Sequence, residues 1–250
     1  MNAGACLRCQ STEAEILYRG RDYLSEDPFV VLSCQACGVA RTGPGRFEQD
    51  PDRYYPTAYY GETGERFHGV LERLVARFRR ARVQQIVRLV PEPGRVLDIG
   101  CGRGWMLSEL HRLGWSATGV ERSLQAAMAD AGVRILEAPR LSDCRLEAET
   151  FEAITLWHSL EHLDQPWETL DEAARLLAPG GVLIVEVPNL ASLQARWSGS
   201  QWFHLDAPRH RIHLTLDQLV ADLESRGLEI LSRRTFSLEY GPYGMMQSLL

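Results

Sequence analysis

Two pairs of cysteines, Cys6-x2-Cys9 and Cys34-x2-Cys37, have the spacing of metal-binding knuckles. Each tight turn points two sulfurs inward, and four thiolates suit one tetrahedral zinc ion. Gly38 supports the second turn, because glycine accepts positive φ. Two disulfides are the competing use of the same four residues. The opening MNAGACLRCQ has no basic segment followed by an apolar one, so no secretory signal is expected. The chain is read as cytoplasmic, where disulfides are rare. A closed four-sulfur site leaves no position for a substrate, so its expected role is to fold a segment too short for a core of its own. Cys101 and Cys144 stand apart from this set.

The second chemical signal is the run Val96-Leu97-Asp98-Ile99-Gly100-Cys101-Gly102-Arg103-Gly104. Glycines directly after a strand let the backbone approach a ligand closely, at the carboxyl edge where open parallel sheets bind ligands. A dinucleotide fingerprint needs its third glycine at 105, and Trp105 stands there instead. The spacing is GxGxG, preceded by Asp98. Glu121 ends the next strand-like stretch, where a carboxylate can accept both hydroxyls of a ribose. GxGxG alone is weak evidence. Strand, acid, glycine loop, helix, strand and terminal acid in that order are strong evidence.

These residues need elements to position them. A chain of 250 residues, 45% apolar and 24% charged, can bury a large core. No run reaches the roughly 20 apolar residues of a membrane span. A net charge of -6 argues against a chain built to coat nucleic acid. Residues 1–42 form the cysteine module, with short strands expected at 15–18 and 29–32, as in a zinc ribbon. A tyrosine-rich linker over 43–60 carries Tyr54, Tyr55, Tyr59 and Tyr60. It reads as rings packed on a neighbour, or as a flap whose Tyr59 contacts a substrate.

Residues 62–90 read as a long amphipathic helix. Its apolar positions include Phe67, Val70, Leu71, Leu74, Phe78, Ile86 and Leu89. The other face is basic, with Arg66, Arg73, Arg77, Arg79, Arg80, Arg82 and Arg88. That face is expected to be solvated, with RNA or a membrane surface as the alternative. From Arg95 strands alternate with helices. Strands are expected at 95–99, 116–121, 133–137, 151–157, 182–187 and about 228–236. Helices are expected at 104–113, 124–131, 166–177 and, behind a Thr215/Gln218 capping box, up to Gly227. The alternation implies an α/β, Rossmann-like parallel sheet with helices on both faces, preceded by a small zinc-ribbon-like module.

DIGCGRG, the acid in GVERS, FEAITLWHSLEHL and LLAPGGVLIVEVPN resemble the motifs of class I S-adenosylmethionine-dependent methyltransferases. The resemblance covers about residues 90–250, within a methyltransferase domain drawn at 61–250. The tail WFHLDAPRHRIHLTLDQL, with the N-terminal double CxxC, is similar to a bacterial subgroup found among cell-envelope sugar and natural-product pathways. The resemblance implies S-adenosyl-L-methionine as cofactor, with Asp98 near its amino group and Gly100, Cys101, Gly102 and Gly104 along it. It implies Glu121 and Arg122 at the ribose and Asp143 or Cys144 by the adenine. Trp157 and His158 would face the sulfonium and substrate. Class I folds also finish with a seventh, antiparallel strand. The apolar run at 244–250 carries no stop signal, and that strand is expected to be missing.

Methyl transfer is an in-line displacement at a carbon activated by a sulfonium, so the protein must align the reactants and exclude water. A hydroxyl acceptor also needs a base. His158, Glu161 and His162 share a face if they lie on one helical turn. Ubiquinone-pathway O-methyltransferases carry a similar segment that can hold a divalent metal, but with an acid where His158 stands, and histidine suits softer metals than magnesium. The competing reading is that Glu161 and His162 only orient their loop. A second cluster comprises Trp202, His204, Asp206, Arg209, His210 and His213. There Asp206 can orient an imidazole and His210 or His213 can take a proton. Arg209 can hold a phosphate or carboxylate of a substrate, with Trp202 beside it.

The catalytic candidates are therefore His158, His162, His210 and His213. The expected function is methyl transfer to a small-molecule acceptor, a sugar or nucleotide-linked sugar of envelope or natural-product biosynthesis. An RNA-base methyltransferase and a non-catalytic zinc-ribbon adaptor are the alternatives. The net charge speaks against the first, and the intact Asp98, GxGxG and Glu121 against the second.

Overall fold

The computed structural model describes residues 4–48, 50–54, 69–124 and 128–235. In chain order they form β1 (Ala14–Arg21), β2 (Pro28–Cys34), β3 (Ala40–Thr42), α1 (Gly69–Leu89), β4 (Arg95–Ile99), α2 (Trp105–Arg112) and β5 (Ser116–Glu121). There follow β6 (Arg134–Glu137), β7 (Phe151–Trp157), α3 (Pro166–Leu176), β8 (Leu177–Glu186), α4 (Leu193–Ser198), β9 (Ile212–His213) and α5 (Leu216–Glu224). The chain divides into two compact units: residues 63–160 with 168–186, and residues 1–62 with 161–167 and 187–250.

In the unit built on residues 63–160, five parallel strands lie in the order β6-β5-β4-β7-β8. This is a Rossmann-like α/β sheet, with the strand order reversing at β4. Interior strands of parallel sheets read as apolar runs, and Val96, Leu97 and Ile99 of β4 are all buried. Val83 and Ile86 of α1, with Met106, Leu107 and Leu110 of α2, share one core with Val96, Ala117, Ala153 and Ile184. The basic face of α1 is not wholly solvated. The Arg79 guanidinium lies 4.6 Å from the Trp105 ring centre, and that of Arg82 lies 4.9 Å from the Trp157 ring centre. Arg66 and Phe67 fall outside the described residues.

Three expected elements differ. Residues 128–131 are not helical, and 125–127 lie outside the described residues. The backbone N–H groups of Met128 and Asp130 donate to the Arg103 carbonyl and the Ser108 hydroxyl, which ties this segment to α2 and the loop before it. No strand forms at 228–235, where no backbone pairing to a sheet occurs. The fifth strand of the parallel sheet starts at Leu177, not 182. Its register on β7 jumps from Leu177 to Val182, because Pro179-Gly180-Gly181 falls in the bulge.

In the other unit, four antiparallel strands lie in the order β1-β2-β3-β9. β3 pairs with β2 on one side and, through Ala40↔His213 and Arg41↔Ile212, with β9 on the other. Val31 and Ala40 pack in one core with Ala195, Trp202, Leu205 and Ala207. Asp222 of α5 accepts hydrogen bonds from Arg8 at 2.6 Å and from Trp167 Nε1 at 3.1 Å. The cysteine segment thus shares its sheet and core with the chain beyond residue 187. Thr215 and Gln218 form the expected reciprocal cap of α5. Tyr54 is buried, donates to Asp27 Oδ2 at 2.7 Å and packs on Phe47. Tyr55, Tyr59, Tyr60 and the run at 244–250 lie outside the described residues. Among the described residues, no helix is long and apolar enough to cross a membrane.

Candidate active site

At the carboxyl end of β4 the chain turns through Gly100, Gly102 and Gly104, whose φ angles are 76°, 53° and 73°. Side chains other than glycine rarely adopt these values. A Cβ on Gly100 would lie 2.5 Å from Ser159 Cβ, so the loop presses against the segment leaving β7. A Cβ on Gly102 would meet nothing within 4 Å, so at that residue the loop faces open space. Glu121 stands beside this opening. Its Oε2 accepts from the Gly102 N–H at 2.7 Å and its Oε1 from the Arg122 N–H at 2.8 Å. Parallel pairing of β4 with β5, Asp98 opposite Gly119, sets the two strand ends side by side.

Asp98 is buried and accepts from the Thr155 hydroxyl at 2.7 Å. Burial pushes its carboxyl up to about 6, against the opposing pull of Thr155 and the Arg82 charge. Burial also pushes the Cys101 thiol up, and its sulfur fills the space a side chain at Gly119 would need. Cys101 thus packs the loop from beneath. Trp157 ends β7 with its ring under Arg82, and its Nε1 is buried with no acceptor among the described residues. Asp143 and Cys144 lie in a single turn, Leu141–Cys144, beyond β6, with Asp143 exposed and the Cys144 thiol raised by burial. The β5–β6 register, Glu121 opposite Glu137, brings β6 to the same sheet edge.

His158 does not share a helical face with Glu161 and His162. Its φ of 50° breaks the turn, and its Nε2 lies 3.2 Å from Glu186 Oε1. Thr155, Ser159 and Glu186 border the site without having been named from sequence, and Arg82 was read there only as part of a basic face. Only for Arg82 was there a signal, an arginine at a helix position able to meet an aromatic ring.

The other unit gathers Glu161, His162 and His210, whose ligating atoms lie within 4.8 Å of one another. His162 Nδ1 lies 3.2 Å from the Arg209 carbonyl oxygen and His210 Nδ1 lies 3.0 Å from that of His204. The two rings meet edge to face at 4.5 Å. His210 Nε2 is 3.9 Å from Glu161 Oε1 and 3.8 Å from Asp206 Oδ2. Glu161 and His210 also line a small cavity with Val187, Pro188, Trp202 and His213.

Two expected roles are corrected here. His213 is buried with Nε2 3.1 Å from the Thr42 hydroxyl, and burial drives its imidazolium down to about 3. Burial makes it a weak base, and its Nε2 is engaged by Thr42, which argues against a role in proton transfer. Arg209 has no exposed side-chain surface; it pairs with Asp22 and Asp206 and lies 4.8 Å from the Tyr23 ring centre. Its charge is matched inside the fold, so it does not meet a substrate anion, and Asp206 is held by Arg209. Trp202 is a core residue that also borders the cavity.

Cys6, Cys9, Cys34 and Cys37 converge with their sulfurs within 4.8 Å of one another. The Cys6–Cys37 and Cys9–Cys34 sulfur separations are 3.6 and 3.5 Å. A zinc–sulfur bond of about 2.3 Å in a tetrahedron puts neighbouring sulfurs about 3.8 Å apart. Burial opposes ionisation of Cys34, but the N–H groups of Cys37 and Ala36 donate to its sulfur and pull the thiol down to about 6.

The family described as Methyltransferase domain matches residues 71–233. A ubiquinone biosynthesis O-methyltransferase of Caulobacter sp. (strain K31) is 36% identical over 103 residues, covering 38% of this chain and 41% of that protein. One from Maricaulis maris (strain MCS10) is 29% identical over 162 residues, covering 59% of this chain and 63% of that protein. The chain thus spans less than two thirds of the length of either relative. A chain from a complex of a Haloferax volcanii methyltransferase activator with a methyltransferase superposes with a TM-score of 0.50 at 18% identity. That match covers 60% of this chain and 68% of the other, and it bears on the fold alone.

Proposed function

The chain belongs to the methyltransferase-domain family, and from that premise we propose that it transfers a methyl group from S-adenosylmethionine to a hydroxyl of a small-molecule acceptor. The observation that carries this reading is the left-handed glycine loop with the Glu121 carboxylate on the Gly102 N–H. The open space at Gly102 and the acid beside it fit a ribose, whose two hydroxyls a carboxylate can accept. Arg82, half-buried over Trp157 and acting on Asp98, supplies the positive charge suited to the carboxylate of an amino acid. When bound, the cofactor supplies an electrophilic methyl carbon. His158, whose ring is oriented by Glu186 at 3.2 Å from its Nε2, acts as proton acceptor for the hydroxyl. The names of the two bacterial relatives, both O-methyltransferases, support oxygen as the methylated atom.

The same reading assigns a structural zinc ion to Cys6, Cys9, Cys34 and Cys37, supported by their convergence and separations. The RNA-base alternative loses support, because Arg79 and Arg82 of the basic helix are stacked on tryptophans.

Calorimetric titration with S-adenosylhomocysteine tests the proposal. Binding to the wild type should weaken at least about tenfold in Glu121→Ala, because two ribose hydroxyls lose a charged acceptor. Unchanged affinity would place the ribose elsewhere.

A further inference from the structure

The likeness to ubiquinone-pathway enzymes implies a divalent metal at Glu161 and His162, with the residue at 158 as a partner. The residues present do not fit that set. His158 adopts a left-handed turn and is engaged by Glu186 within the other unit. From the geometry around Glu161, we propose a different centre: a divalent transition-metal ion held by the Glu161 carboxylate and by Nε2 of His162 and of His210.

Four observations converge on it. First, the three side chains each offer a ligand atom within 4.8 Å of the others, although His210 is 48 positions from His162 in the chain. Second, each ring has its Nδ1 against a backbone carbonyl oxygen, of Arg209 for His162 and of His204 for His210. A carbonyl only accepts, so Nδ1 carries the proton and a neutral ring keeps its lone pair on Nε2. This outer hydrogen bond to a carbonyl is the usual support of a metal-binding imidazole.

Third, His210 Nε2 has two carboxylates near it, Glu161 at 3.9 Å and Asp206 at 3.8 Å. Two carboxylates beside one imidazole nitrogen favour a cation among them, a metal ion or a second ring proton. Fourth, the adjoining cavity has room for one water-sized group. Its lining includes Trp202, 4% exposed, whose Nε1–H has no acceptor among the described residues. Two nitrogens and a carboxylate leave one position of a tetrahedron open, and an oxygen ligand in the cavity can fill it. Imidazole nitrogen selects zinc or its transition-metal neighbours over magnesium.

The test uses the full chain loaded with zinc and freed of excess, with metal counted by elemental analysis and ligands read by X-ray absorption. The wild type should hold about two zinc ions, one with a sulfur shell and one with a nitrogen and oxygen shell. His162→Ala and His210→Ala should each fall to about one zinc ion, in an all-sulfur shell. About one zinc in the wild type with only sulfur neighbours overturns the centre and leaves a second proton on His210 as the cation. Two zinc ions retained in both variants also overturn it. The wild-type spectrum decides the matter even if a variant fails to fold. The proposal does not rest on methyl transfer. S-adenosylhomocysteine binding, measured on the same samples, reports separately on the glycine loop.

Discussion

Asp98 sits two residues before the first glycine of the loop, and its surroundings set a pH dependence of their own. Its ordinary value is 3.8, and burial lifts it to about 6 in the fold. The folded chain therefore binds this proton more tightly than the unfolded chain does. The resulting stabilisation is full below the unfolded value and is lost as pH rises through the folded one. Without cofactor, the wild type should lose stability relative to Asp98→Asn between about pH 4 and pH 6, measured by urea denaturation. A parallel pair of curves would show that the acid is solvated. Arg209 allows a second test. Burial opposes ionisation of Asp22, but Arg209 and Ser25 outweigh it and hold the carboxyl low, whereas for Asp206 burial prevails and raises it. Arg209→Ala leaves both acids without their cation and should cost about 3–5 kcal/mol, read from denaturant midpoints. A near-neutral effect would instead support the substrate-binding role.

Among elements, the pairing of β3 with β9 makes the cysteine segment and residues 187–224 parts of one sheet and core. A protein comprising only residues 61–250 should therefore lose the ordered surroundings of Trp202 and Leu205. It should show molten, dye-binding behaviour by fluorescence and near-UV circular dichroism. Native-like spectra would show that β1–β3 are dispensable to that core. The sequence disclosed what local rules govern. The order β4, glycine loop, α2, β5, Glu121 was legible because each member announces itself within a few residues. The cap of α5 was legible for the same reason. The link between Ala40 and His213 was not, since nothing local in a three-residue strand names a distant partner. The grouping of His162 with His210 was hidden likewise. The supposed partner, His158, was lost to a left-handed residue that helical spacing cannot foresee. The expected helix at 124–131 yielded in its described part to hydrogen bonds with Arg103 and Ser108.

For the molecule as a whole, the proposed zinc ion and the proposed methyl donor would address two different bodies of chain. S-adenosylhomocysteine should slow amide exchange mainly in residues 95–121. Chelation of zinc should speed it mainly in residues 4–45 and 187–224. A ligand at a hundred times its dissociation constant adds about 2.7 kcal/mol to whatever it binds, enough to slow exchange about a hundredfold there. Exchange mass spectrometry on the apo, zinc-loaded and cofactor-loaded protein checks this. If S-adenosylhomocysteine protects the cysteine segment instead, the assignment of the glycine loop is wrong.

The hydrogen-bond partners Thr42 and His213 are 171 positions apart. A ribosome adding about 5–20 residues per second needs on the order of ten to thirty seconds to make that stretch. Until then the nascent β3 has an open edge, and Val31 and Ala40 lack the side chains that cover them. Newborn chains must pass through this interval with an adhesive strand already outside the exit tunnel.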